Sequence, residues 1–254
     1  MSSLKAKLAR NELTLGSWIT LFHPGVAEIM ADSGFDWLCI DMEHSPMSVD
    51  HAEQLIRVCA LKSVPPLVRL TSNDMNLIKR VMDSGAHGLI VPMVNSAAEA
   101  ARAAASMHYP PRGKRGVGLA RAQGYGTSFD AYRKWLDEEA VLIVQIEHID
   151  AVNDIDAILT TPGVDGYIIG PYDLSASLGI PGQFDDPALI DAIARTHAAG
   201  KRLKKPGGLH VVEPDMARLR DCIDQGLAFM AYSLDSRMLS VSSRAGVAAA
   251  KGAR

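Results

Sequence analysis

Two apolar runs in this chain stop at carboxylates. Val141 to Ile146 leads through Gln145 into Glu147, and Gly166 to Ile169 leads through Gly170, Pro171 and Tyr172 into Asp173. Each run has the length and β-branched content of a buried strand. Two hard oxygen donors on neighbouring strand ends can hold one divalent cation and leave the rest of an octahedral shell to water and substrate. That chemistry suits Mg2+ or Mn2+. Other chemically able residues also fall at the ends of apolar runs: Trp18; Asp41, Glu43 and His44; Arg69; His210; Ser233 and Asp235. Arg69 lies on a run that reads as buried, so its guanidinium needs an anionic partner. Asp41 or Glu43 is one such partner, and a substrate carboxylate or enolate oxygen is the other. His44, flanked by acids at a strand end, is a candidate for moving protons near neutral pH. The turn from Gly170 to Asp173 opens a helix, whose free N–H groups could hold a carboxylate.

The elements that must position these residues follow from the periodicity. Eight strand-like runs alternate with helical ones. The strands end near Ile19, His44, Leu70, Val94, Glu147, Pro171, Val212 and Asp235, and each is followed by an amphipathic stretch. The helix expected over 25–33 is closed by Gly34, that over 74–84 by Gly85, and that over 187–199 by Gly200. One helix is expected over 151–159. This alternation predicts a single (β/α)8 barrel spanning 1–254, with an N-terminal helix before it and a helical tail over 237–251. Active sites in such barrels sit where strands end. Here the C-terminal strand ends carry the polar residues, while the N-terminal ends carry Gly, Val and Pro. An open doubly wound sheet is the alternative, but no GxGxxG turn follows the first strand. The glycine-rich basic stretch 112–126 is too long for a plain connector and reads as a lid or as a contribution to a neighbour's site.

Composition is that of a globular chain. The 254 residues are 48% hydrophobic and 22% charged, with net charge −3. Neither a nucleic acid nor a membrane is expected as partner. Cys39, Cys59 and Cys222 show no metal-ligand spacing and read as reduced thiols of a cytoplasmic protein.

Taken together, the stretches Phe35 to Pro46, Val68-Arg69, Asp83 to Ala86, Tyr109 to Gly118, Gln145 to Glu147 and Gly163 to Gly179 resemble the HpcH/HpaI family of class II, metal-dependent pyruvate aldolases. The resemblance runs from about residue 14 to 235 and implies a barrel that cleaves a 4-hydroxy-2-keto acid to pyruvate and an aldehyde. It makes Glu147 and Asp173 the ligands of a divalent metal, Mg2+ or Mn2+ with Co2+ or Zn2+ as substitutes. It makes Arg69 the contact to the pyruvate oxygens, His44 the base and Asp83 the acid that orients that base. It places Trp18, Gln145, Tyr172 and Asp173 as substrate-binding residues. Because Asp83 precedes strand 4, a dyad with His44 requires a neighbouring subunit. The resemblance implies a homohexamer with an exchanged C-terminal helix. The chain departs from the family pattern at Met42, His148, Tyr232 and the basic stretch 201–205. Competing readings are a Schiff-base aldolase, a CoA-ester lyase of the citrate lyase β type, a 2-keto acid decarboxylase and a non-enzymatic scaffold. The first needs a lysine at a strand end, and strands 5 and 6 have none.

Overall fold

Alternation along a strand sends successive side chains to opposite faces, and in this chain it divides the apolar residues into two cores. Residues 2–252 are described by a computed structural model. Its strands are β1 (Thr14–Ile19), β2 (Trp37–Asp41), β3 (Pro66–Arg69), β4 (Gly88–Val91), β5 (Val141–Ile146), β6 (Gly166–Ile169), β7 (Gly207–Val211) and β8 (Phe229–Leu234). All pair in parallel with their sequence neighbours, and β8 closes on β1. The expected barrel is therefore observed. The helices are α1 (Leu4–Ala9), α2 (Pro24–Asp32), α3 (Val49–Leu61), α4 (Met75–Asp83), α5 (Ala97–Met107), α6 (Phe129–Glu138), α7 (Ile149–Asn153), α8 (Ile155–Thr160), α9 (Pro171–Ser177), α10 (Pro187–Leu203), α11 (Met216–Asp224) and α12 (Asp235–Gly252).

The inner core holds Trp37, Cys39, Leu67, Ile90, Val141, Ile143, Ile168, Phe229 and Ala231, with Trp18. Trp37 stacks on Phe229 with ring centroids 4.3 Å apart. Gly16 is obligatory beside them, because a Cβ there would penetrate the Trp37 indole. Leu4 and Leu8 of α1 join this cluster. Burying such side chains contributes about 2 kcal/mol each, and they close the N-terminal end of the barrel. The outer core packs Leu38, Ile40, Val68, Leu89, Leu142, Val144 and their neighbours under the helices.

The inner-core parity predicts which polar residues face the barrel axis. Counting in twos from Cys39 reaches Asp41, from Leu67 reaches Arg69, from Ile143 reaches Gln145 and Glu147, and from Ala231 reaches Ser233. The chemistry therefore continues the apolar column at the strand C-termini.

Five expectations about elements need correction. The helix expected to close at Gly200 runs through it to Leu203 and is capped by Lys204. β2 stops at Asp41, short of His44, because the Asp41 carboxylate turns the chain by accepting the Glu43 and His44 N–H groups. β4 stops at Val91, because Pro92 lacks an N–H and Met93 takes φ 51°, outside the strand region. The helix expected over 151–159 is two short helices, α7 and α8, which meet at Asp154 with φ −103° and ψ 15°. The stretch 112–126 does not cover the mouth of its own barrel. It runs along the flank, ending in two tight turns over Arg121–Gly126 that are kinked at left-handed Gly124 and Tyr125, against α4 and α6. Its anchor is Arg115, 1% exposed. That guanidinium donates to Asp83 Oδ1 at 2.5 Å and to the Tyr132 hydroxyl at 3.0 Å, and it lies 4.7 Å from the Tyr109 ring centroid. Among the described residues no helix is long and apolar enough to cross a membrane. All three cysteines are free and buried.

Candidate active site

At the mouth, β2 and β3 are built around Asp41. Asp41 and Arg69 face each other in the β2–β3 register. The guanidinium forks onto the carboxylate, Nε donating to Oδ1 at 2.9 Å and Nη2 to Oδ2 at 2.7 Å. Asp41 Oδ1 also accepts the backbone N–H groups of Glu43 at 3.0 Å and His44 at 3.3 Å. One buried carboxylate thus sets both the arginine and the turn that carries the next two polar residues. Arg69 Nη1 lies 3.2 Å from Glu43 Oε2. The Arg69 fork also sits 4.4 Å from the centroid of the Trp18 ring, a cation–π contact in a desolvated setting. Asp41 and Glu43, the acids weighed as partners for Arg69, orient its fork. His44 is exposed, with Nε2 3.9 Å from Glu43 Oε2.

Across the barrel, Glu147 is 2% exposed. Its Oε1 accepts the Met93 N–H at 2.7 Å, and its Oε2 accepts from the Gln145 amide. The positive φ of Met93 turns that N–H toward the carboxylate, so the correction to β4 is also a feature of the site. Gly170 completes the seat. A Cβ at Gly170 would lie 2.9 Å from Glu147 Oε2 and 3.0 Å from Glu147 Cβ. Asp173, in the first turn of α9, is exposed.

Three carboxylates feel one another here. Burial, followed by the charges of Asp41 and Asp173, pushes Glu43 up to about 7 against the opposing pull of Arg69. Burial pushes Glu147 up to about 7, with Glu43 and Asp173 adding to the rise. Desolvated like charges of this kind are relieved by a bound cation. Two buried polar atoms at these strand ends, Trp18 Nε1 and Ser233 Oγ, have no hydrogen-bond partner among the described residues. Such atoms call for a polar ligand. No group of three or more His, Cys, Asp or Glu side chains is disposed to ligate a metal among the described residues. A carboxylate pair that leaves coordination positions to small molecules is consistent with that. The donors fit a hard divalent cation.

The structure does not bring every expected residue to this mouth. Tyr172 turns its ring edge-on to Phe184, centroids 4.8 Å apart, along a groove on the outer face of β7. Successive helical residues diverge by about 100°, so Tyr172 and the adjacent Asp173 point different ways. Asp83 ends α4, at the N-terminal end of the barrel, where Arg115 holds it. Within one chain, Asp83 and His44 are at opposite ends. Asp235 is structural: it accepts from the backbone N–H groups of Thr20 and Leu21 and from the Thr20 hydroxyl, tying β1 to the start of α12. His210 packs on Trp18, centroids 5.3 Å apart, with Nε2 3.0 Å from the Ser233 carbonyl. Burial pushes His210 down to about 4, so it is neutral.

Residues 14–241 match the model of the HpcH/HpaI aldolase/citrate lyase family. A pyruvate aldolase of Rhizobium etli is 39% identical over 246 residues, covering 96% of each chain. A 2-keto-3-deoxy-L-rhamnonate aldolase of Shigella sonnei is 37% identical over 242 residues, covering 93% of this chain and 88% of the relative. The crystal structure of a family protein from Burkholderia cenocepacia superimposes with a TM-score of 0.92 at 34% identity, covering 98% of each chain.

Proposed function

The chain belongs to the HpcH/HpaI aldolase/citrate lyase family, and on that premise we propose that it is a carbon–carbon lyase, a metal-dependent aldolase that cleaves a 4-hydroxy-2-keto acid to pyruvate and an aldehyde. The observation that carries the reading is the meeting of buried Glu147 with partly buried Glu43 and exposed Asp173, both glutamates raised to about 7 by burial and then by neighbouring carboxylates, in a mouth that also presents Arg69. Glu147 and Asp173 would hold a divalent cation, Mg2+ or Mn2+, which supplies Lewis-acid stabilisation of a developing oxyanion when bound.

The chain's own residues account for the rest. The base, His44 or a water it orients, takes the proton of the 4-hydroxyl. The C3–C4 bond then breaks, the aldehyde leaves, and the electron pair delocalises into the pyruvate enolate, which takes up a proton at C3. Arg69 places positive charge beside the enolate oxygen, and Asp41 holds its fork fixed so that little reorganisation accompanies the charge shift. Gln145 and the Met93 N–H fix the rotamer of Glu147. Trp18 backs the arginine and offers an unpaired indole N–H to the substrate. Exposure at the mouth lets His44 exchange its proton with solvent.

Asp83 orients His44 across a subunit boundary, in a homohexamer whose α12 tail is exchanged. In support, α12 buries only Asp235 among its residues. Removing metal with EDTA is expected to abolish pyruvate release, and Mg2+ or Mn2+ to restore it. Full turnover in metal-free buffer would overturn the metal-dependent reading.

A further inference from the structure

The end of the barrel opposite the mouth contains a cavity whose charged lining residues are all cations. It has a volume of about 250 Å³ and opens between the end of α1, the C-terminus of α10 and the loop before β8. Arg10, Lys201, Lys204 and Lys205 line it, with Tyr167 and His197 behind them, and no carboxylate is among its lining residues. In a chain of net charge −3, four cations around one small cavity form a local reversal of field.

The four are not equally occupied. Arg10 forks onto exposed Glu12, and Lys205 donates to the Val164 carbonyl. Lys201 and Lys204 have neither an ion pair nor a side-chain hydrogen bond among the described residues, so two ammonium groups remain unspent. Lys201 lies along Gly226, with Cε 3.2 Å from where a Cβ would stand there. Lys204 caps α10 in the left-handed conformation, φ 55° and ψ 40°. Glycine is the usual occupant of such a cap, so a lysine there runs against conformational preference.

A plainer account is that cations at a helix C-terminus answer its dipole. That covers Lys201 and Arg202. It does not explain a cavity walled by cations from two helices, or why Lys201 and Lys204 have no acidic partner among the described residues. One polar pair lies at the cavity floor. The Tyr167 hydroxyl lies 3.2 Å from His197 Nδ1, and it has room only because Gly200 and Gly207, which a Cβ would drive into the ring, flank it.

We propose that this cavity binds a compact oxyanion carrying two or more negative charges, a phosphate or phosphate monoester or a small polycarboxylate, through Lys201 and Lys204 with Lys205 and Arg10 at the rim. Its size excludes an extended polyanion, and its place at the N-terminal strand ends separates it from the aldol chemistry. The proposal does not depend on the aldolase reading, because it is tested by binding.

The experiment is isothermal titration calorimetry of the full-length, metal-loaded protein. Inorganic phosphate, glycerol 3-phosphate, citrate and chloride are compared at matched ionic strength, against a Lys201→Gln/Lys204→Gln double variant. The expected result is saturable binding of at least one multivalent anion to the parent, weakened about tenfold in the double variant. A preference for glycerol 3-phosphate or for citrate assigns the source. The mouth is unaltered in the variant, so anion captured there by the metal cancels in the comparison. Equal binding by parent and variant overturns the proposal, as does a response no larger than that to chloride. Because both lysines are exposed, the variant should melt like the parent in chloride. Lys201→Gln alone, with a smaller loss, is the second arm if it does not.

Discussion

Asp41 does more at the mouth than any residue that touches substrate in the proposed reaction. Its two oxygens hold both limbs of the Arg69 fork and two backbone N–H groups of the turn bearing Glu43 and His44. Replacing it with Asn keeps the shape but removes the charge and turns an NH2 toward the guanidinium. Breaking one side of a buried pair costs about 3 kcal/mol, and an unanchored fork serves the enolate poorly. Asp41→Asn is therefore expected to lower the melting temperature and to reduce kcat/KM for pyruvate release about a hundredfold. Steady-state kinetics with a melting curve checks both, and unchanged kcat/KM would remove Asp41 from the positioning of Arg69. The sequence pointed to Asp41 only as one of two partners for Arg69, because a lone acid at a strand end does not reveal how many donors converge on it. Glu147 and Gln145 were legible because they close an apolar strand in the inward parity. The Met93 N–H and Gly170 were not, since their contributions are a backbone angle and the absence of a side chain.

At the level of elements, the strands were readable and the long connections were not. A parallel strand buried on both faces is a continuous apolar run, and its inward column names the site once the barrel is assumed. The stretch after α5 is locally glycine-rich and basic, and nothing in its neighbours shows that Arg115 is buried against Asp83, Tyr109 and Tyr132. That anchoring fixes the segment to the flank that also carries Asp83, and it leaves Val117 and Leu119 exposed. With α12 contributing so little to its own barrel core, both elements have surface left for a neighbouring subunit. If Asp83 of one chain serves His44 of another, two inactive variants must complement each other. Co-expressed His44→Ala and Asp83→Ala chains are expected to form oligomers with about a quarter of the parent activity, the share of sites that receive both intact residues on random mixing. Each variant alone should be nearly inactive. Mixed oligomers no more active than either variant would place the dyad within one chain or nowhere.

Over the whole molecule, charge and burial are distributed along the barrel axis. Carboxylates pushed toward neutrality gather at the mouth and cations at the opposite end, and several histidines are held neutral by burial. His87, His108, His197 and His210 are each pushed down to about 4, against about 6.5 in an unfolded chain. Between those values the unfolded chain takes up protons that the folded one refuses. Their contribution is complete above about pH 6.5 and is lost as pH falls toward 4. Glu43 and Glu147 act with the opposite sign. Raised to about 7, they keep protons in the folded state that the unfolded chain releases, so they favour folding as pH falls from 7 toward 4.5. Four groups oppose two, and the metal-free protein is expected to lose stability on acidification from pH 6.5 to 4.5. A divalent cation on Glu147 requires that carboxylate ionised, which removes part of the offset and adds a binding energy that acid takes away. The melting temperature should therefore fall more steeply with acid in Mn2+ than in EDTA. Thermal melts at half-unit pH intervals in each buffer test this. A metal-free melting temperature that rises from pH 6.5 to 4.5 would show that the glutamates outweigh the histidines, and identical slopes in the two buffers would detach the metal from Glu147.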